Sequence, residues 1–255
     1  MTGAAHPGKG ECMMKSYQEN ILLRTRDCDV NGQWRPSALL EEMQEISGTH
    51  CALLGCGRDD LLKRGVVWIL ARSEVQMDRY PNLGETVTVQ TFHKPVRLRF
   101  FPRYYIFKDA AGEVIGKAGT LWLLMDIHTR QTIPAGDIAA LLPDNSDLAA
   151  PMALPATVGQ LQGEERVIPY APVYTDLDVN GHVNNTRYAD WLCNALGINT
   201  LRQYCPQSLI MNYNAEVLPG QEVALHLTRN GLDYRLAGYH GEKLAFEIGG
   251  RLKER

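Results

Sequence analysis

Asp29-Val30-Asn31-Gly32 and Asp178-Val179-Asn180-Gly181 are the same four residues, 149 positions apart. Four matching residues mean little alone, but their surroundings match as well. An extended segment precedes each copy, Glu19 to Arg24 in one and Arg166 to Tyr174 in the other. A helical pattern follows each. Pro36 suits the first position of a helix, and Leu39, Met43, Ile46 and Leu53 recur at helical spacing. After the second copy, Tyr188, Trp191, Leu192, Ala195 and Leu196 fall on one helix face.

Beyond each helix the pattern turns strand-like. Val66–Arg79, a Pro81–Glu85 turn and Thr86–Gln90 in the first half answer to Ser208–Val217, a Pro219–Gln221 turn and Glu222–Thr228 in the second. Hairpin turns follow at Asp109–Gly112, at Arg229–Gly231 and at His240–Glu242. Each half therefore reads as a strand, a long helix and about four antiparallel strands. That is an α+β layout, two antiparallel sheets each wrapped on a long helix, with the units joined edge to edge or side by side. Pro143 to Glu164 is rich in Ala, Pro, Gly, Asp and Gln and reads as a linker. The expected boundaries are an N-terminal extension at 1–14, a first unit at 15–142, the linker at 143–164 and a second unit at 165–255.

The 255 residues suffice for two such cores, and the composition is that of a globular chain. A net charge of −3 disfavours a general nucleic-acid binder, and no apolar run reaches membrane-spanning length. The N-terminus lacks the apolar core of a signal peptide. Six scattered cysteines without a C-x-x-C pair read as reduced thiols of a cytoplasmic protein. His50, His93, His128, His226 and His240 show no metal-ligand spacing, so neither metal nor cofactor is expected.

The densest polar cluster is Thr175-Asp176-Leu177-Asp178-Val179-Asn180-Gly181-His182-Val183-Asn184-Asn185. It lies between a strand and a helix that Asn184 or Asn185 can cap. Free N–H groups at that helix start would suit an oxygen gaining negative charge. Glu216 falls in the mostly apolar run Leu209–Leu218; facing inward it would be a desolvated general base, facing outward a solvated surface residue.

The run from Asp176 to Asn185, followed by a Tyr and a Trp, resembles the signature of acyl-acyl carrier protein thioesterases, the plant fatty acyl-ACP thioesterases and their bacterial relatives. The resemblance continues through Val67-Trp68-Ile69-Leu70-Ala71-Arg72, Tyr80-Pro81, Trp122-Leu123-Leu124-Met125-Asp126 and Thr129-Arg130. It implies a tandem hot-dog fold and hydrolysis of fatty acyl-ACP thioesters, which ends chain elongation. It carries the catalytic Asp, Asn and His onto Asp178, Asn180 and His182, and the catalytic Glu onto Glu216, 34 residues after His182. Some plant members have a Cys after that Glu; here Val217 stands there, which excludes a thiol at that site. The first copy keeps Asp29 and Asn31 but has Gln33 where His182 stands, so it is expected to be silent.

The family's acyl tunnel would come from the first half, with Leu39, Met43, Ile46, Trp68, Leu70 and Trp122 as candidate walls. Residues 58–108 hold ten Lys/Arg against five Asp/Glu, a net of +5. Lys94, Arg97, Arg99 and Arg103 within that stretch are the candidates for docking an acidic acyl carrier protein. The rival readings are an acyl-CoA thioesterase of the same fold and a non-catalytic acyl-binding hot-dog protein. No nucleic acid or membrane span is expected, and a homodimer stays open.

Overall fold

The computed structural model describes residues 14–255, so the expected extension lies outside the described residues except for Met14. The first half runs β1 (Tyr17–Leu22), α1 (Pro36–Leu53), α2 (Arg58–Leu62), β2 (Val66–Met77), β3 (Thr86–His93), β4 (Phe101–Lys108), β5 (Val114–Asp126) and β6 (Thr132–Ile133). The second runs β7 (Glu164–Tyr170), α3 (Arg187–Leu196), α4 (Ile198–Gln203), β8 (Tyr204–Tyr213), β9 (Val223–Asn230), β10 (Asp233–His240) and β11 (Lys243–Glu254).

All these strands form one antiparallel sheet in the order β1-β3-β4-β5-β2-β8-β11-β10-β9-β7, with β6 on the flank of β5. The two expected sheets have merged edge to edge. The seam is β2 against β8, with Arg72 opposite Asn212 and Val75 opposite Leu209. Tyr213 and Ser73 hydroxyls share a hydrogen bond of 3.2 Å across it.

The α1 helix begins with Pro36 at its first turn, where the missing N–H costs nothing. It buries Leu39, Leu40, Met43 and Ile46, while Leu53 points to solvent at the frayed end. Tyr188, Ala189, Trp191, Leu192, Ala195 and Leu196 of α3 are all buried. Both helices contribute to one apolar core with the inner sheet face, so the halves share a core. The two helices also clasp each other. Ser37 Oγ donates to Asp190 Oδ1 at 2.5 Å, and Arg187 pairs with Glu41 at 3.1 Å. The layout is a double hot-dog.

Residues 143–163 carry no regular element and cross the opposite sheet face. Pro155 lies over Gly119 and Val158 over Gly249. At both glycines a Cβ would crowd the crossing chain, most severely at Gly249, where it would sit 2.9 Å from Val158 Cγ1. The Ala156 amide donates to Glu74 Oε2 at 3.0 Å, and the buried Asn145 donates to the carbonyls of Lys15 and His93.

Candidate active site

The repeated four residues build the same turn twice. In the second copy, Asp178 Oδ1 accepts from the Asn180 amide at 2.8 Å, and Asp178 Oδ2 from Asn180 Nδ2 at 3.2 Å. The Asp178 amide donates to the His182 carbonyl at 2.8 Å, and Gly181 turns the chain at φ 76°. That left-handed value suits glycine. In the first copy the matching distances around Asp29 and Asn31 are 2.8 and 3.3 Å, and Gly32 has φ 72°. Short Asp and Asn side chains satisfy their own turn here, as this residue pair does in polar loops.

The turn then meets a second segment. The Val183 amide donates to the Val217 carbonyl at 3.0 Å, which sets His182 beside Glu216. His182 Nδ1 lies 3.5 Å from Glu216 Oε1. Glu216 is not on the expected strand, because β8 stops at Tyr213. The Asn214 and Ala215 amides both donate to the Ala245 carbonyl, so the chain leaves the ladder there. Glu216 is therefore 37% exposed, not desolvated on a strand face, and His182 is 30% exposed. Neither Asn184 nor Asn185 caps α3, whose N-cap is Thr186 without a side-chain cap hydrogen bond; Asn184 instead precedes the helix, its Oδ1 accepting from the Thr186 amide and hydroxyl at 3.0 Å. Its carbonyl takes the Arg187 amide at 2.9 Å, so those two N–H groups are already engaged.

Two arginines of the first half reach this cluster: Arg130, which stood in the resemblance only as part of Thr129-Arg130 with no role attached, and Arg58, which stood only in the basic stretch 58–108. Arg130 Nη2 donates to Glu216 Oε2 at 2.5 Å. Arg58 Nη2, at the start of α2, donates to Asn180 Oδ1 at 3.4 Å. Arg130 lies 86 residues from Glu216, so only the folded chain relates them.

The first copy differs at two places. Gln33 replaces His182, and the equivalent backbone bond, Trp34 amide to Pro81 carbonyl at 2.9 Å, puts Tyr80 where Glu216 stands. Tyr80 is buried, and that burial pushes its phenol well up. Arg255 covers this copy, bonded to Gln33 Oε1 and, at 2.6 Å, to Asp29 Oδ2.

The candidate tunnel walls separate into two groups. Leu39, Met43 and Ile46 belong to the core shared by both halves. Trp68 and Trp122 pack in a second apolar cluster with Phe101, Leu61, Leu124 and Ile138, beneath α2. Trp68 Nε1 donates to the Cys56 carbonyl at 3.0 Å, and its ring meets Phe101 edge-on at 4.8 Å. Leu70 is half-buried at the bulge of β2.

The docking candidates divide more sharply. Arg97 and Arg99 are exposed on either side of Leu98, which is 97% exposed at the tip of the β3–β4 hairpin. Arg99 Nη1 donates to Thr132 Oγ1 at 3.4 Å, two residues from Arg130. Lys94 is not a free docking cation: its ammonium holds the carbonyls of Asn145 and Leu148, both at 2.6 Å. Arg103 is not a surface residue at all; it is 1% exposed. Strand alternation places it inward with Phe101, Tyr105 and Phe107. It donates to Thr91 Oγ1 at 3.0 Å, to His50 Nδ1 at 3.1 Å, to Cys51 Sγ at 3.1 Å and to His93 Nε2. Burial first, and the Arg103 charge second, push both His50 and His93 down to about 4. Cys51 is lowered by a hydrogen bond from Cys56 and by Arg103, against its own burial.

Among the described residues, no group of three or more His, Cys, Asp or Glu could hold a metal ion. No helix among them is long and apolar enough to cross a membrane.

A double hot-dog with one polar, histidine-bearing turn at the junction of its halves defines the fold class. Within it, the acyl-ACP thioesterase N-terminal domain profile matches residues 14–139 and the C-terminal domain profile residues 159–247. The chain belongs to the acyl-ACP thioesterase family. A chloroplastic palmitoyl-acyl carrier protein thioesterase from Gossypium hirsutum is 27% identical over 214 residues, 78% of this chain and 52% of that protein. The chain thus spans about half the length of the curated relatives it matches. An acyl-ACP thioesterase from Bacteroides thetaiotaomicron superposes with a TM-score of 0.84 at 21% identity, over 94% of this chain and 98% of that one. A 12:0-ACP thioesterase from Umbellularia californica gives 0.81 at 20% identity, over 96% and 100%. These likenesses at low identity speak for the fold.

Proposed function

We propose that the protein hydrolyses the thioester between a fatty acyl chain and acyl carrier protein, releasing free fatty acid and ending chain elongation. The observation that carries this reading is the meeting of His182 with Glu216 from separate segments, 3.5 Å apart, beside the Asp178–Asn180 turn. Glu216 takes a proton from a water as that water attacks the thioester carbonyl. The C–S bond then breaks, and the carrier's thiol leaves with a proton. Asn180 and His182 orient the carbonyl and the water, and Asp178 holds Asn180 by its side-chain amide. The carbonyl oxygen gains its charge beside these polar groups, where fixed donors are most effective. The first copy, with Gln33 and Tyr80 at the two decisive positions, is silent.

The acyl chain occupies the first half, along the cluster of Trp68 and Trp122 beneath α2. The acidic carrier protein docks on Arg97, Leu98 and Arg99, whose hairpin adjoins the turn that bears Arg130. A cytoplasmic setting is part of the proposal and agrees with the free thiols of Cys28, Cys51, Cys56, Cys193 and Cys205. The test is a panel of acyl-ACPs and acyl-CoAs of graded chain length, with free fatty acid as readout. The expected result is a higher kcat/KM on acyl-ACP. No release from any acyl-ACP would overturn the reading, and a preference for acyl-CoA would move it to the CoA-linked rival.

A further inference from the structure

We propose that Arg130, a residue of the first half, is a positioning residue for the Glu216 carboxylate, so the second half's active site is complete only with the first half in place. The proposal rests on the hydrolytic reading above. Glu216 spends its two oxygens in different directions. Oε2 accepts from Arg130 Nη2 at 2.5 Å, and Oε1 faces His182 Nδ1 at 3.5 Å. With one oxygen fixed, the other has one place to point, and that place is beside the histidine.

The turn that presents Arg130 is built for it. Asp126 Oδ1 accepts from the amides of His128 and Thr129 at 2.9 and 2.8 Å and from the Thr129 hydroxyl at 3.1 Å. The Arg130 amide donates to the Asp126 carbonyl at 2.9 Å. Arg130 itself sits at φ 54°, a left-handed conformation that a long side chain rarely adopts. Strained backbone of this kind persists where the surroundings over-determine it, and it gathers at functional sites. This left-handed residue also closes the β5–β6 hairpin, where the Asp126 amide donates to the Gln131 carbonyl at 3.0 Å, so the turn itself fixes where the guanidinium starts. The pair is exposed, 58% at Arg130 and 37% at Glu216, and exposed ion pairs contribute little to stability.

The first copy supplies an internal comparison. There Tyr80 stands in place of Glu216, and the arginine that covers the copy, Arg255, is spent on Asp29 and Gln33. An arginine bonded to a free carboxylate beside a histidine therefore occurs in the second copy and not in the first.

The test uses the full chain with Arg130→Gln and Arg130→Lys, each also combined with Glu216→Gln. Arg130→Gln should lower kcat on acyl-ACP by roughly 10²-fold, the scale of a displaced reacting group, with KM little changed. Lysine at this position, or guanidinium ion added to Arg130→Gln, should restore part of the loss. With Glu216→Gln already present, Arg130→Gln should cost nothing further. A readout without turnover separates this proposal from the hydrolytic one: carbodiimide labelling of Glu216, followed by mass spectrometry, should be several-fold faster in Arg130→Gln. Failure of the wild-type chain to hydrolyse any acyl-ACP would sink the hydrolytic reading, and the labelling would still decide for or against Arg130. A rise in KM at unchanged kcat, a full loss persisting beside Glu216→Gln, or unchanged labelling would overturn the positioning role.

Discussion

At the residue scale, one histidine and one glutamate separate the two copies of a shared turn. Their sequence contexts were visible: Asp178, Asn180 and His182 lie within five residues of each other. Glu216 was legible as a position but not as an environment. The apolar run left a desolvated and a solvated strand residue equally open, whereas the chain leaves the ladder after Tyr213 and the carboxylate meets both solvent and Arg130. Arg58 carried no signal as a site residue, and Arg130 stood in the resemblance without a role, because a contact across 122 or 86 residues leaves no local pattern. Arg103 was misread for a different reason. Its charge outweighed its place in the alternating inward series of Phe101, Tyr105 and Phe107, which the period of two already contained.

At the element scale, the β3–β4 hairpin and the β5–β6 turn present cations beside the site from the first half. Arg97 and Arg99 flank an exposed leucine at the hairpin tip, a combination that can meet an acidic, partly apolar surface. Replacing both by Ser should raise KM for acyl-ACP roughly tenfold at low salt while leaving kcat near the wild-type value. The penalty should shrink as salt rises, because screening removes the steering from the wild type as well. Steady-state kinetics at two ionic strengths checks this, and a fall in kcat with KM unchanged would place the two arginines elsewhere in the cycle. The elements themselves were largely predictable. Helix periodicity, Pro36 and the Gly-bearing hairpin turns marked them, and the error fell at an end, where Glu216 lies beyond β8.

At the scale of the whole molecule, the internal repeat announced two units, but not that their sheets fuse through β2 and β8. Edge strands that pair with a partner more than a hundred residues away look like any other buried strand. The fused core also encloses a charge. Arg103 sits between His50 and His93, both held down to about 4 by burial and by that arginine. The unfolded chain would protonate these histidines near 6.5. Between about 6.5 and 4 the unfolded state therefore binds more protons, and folding stability falls as the pH drops through that window. The melting temperature should decline over this range, and the decline should flatten in His93→Asn, provided that the variant is folded at pH 7. A slope identical to wild type would show that these histidines do not govern it.

The proposed hydrolysis at the His182–Glu216 site stands or falls on Glu216. The most direct measurement is the rate of fatty acid release from a long-chain acyl-ACP by the wild-type chain and by Glu216→Gln at pH 7, with melting temperatures taken alongside. The expected result is ready release by the wild type and a loss of about 10² to 10⁴-fold in an equally stable variant, the range a positioned general base supplies. An equally stable variant that releases fatty acid at close to the wild-type rate would contradict the assignment.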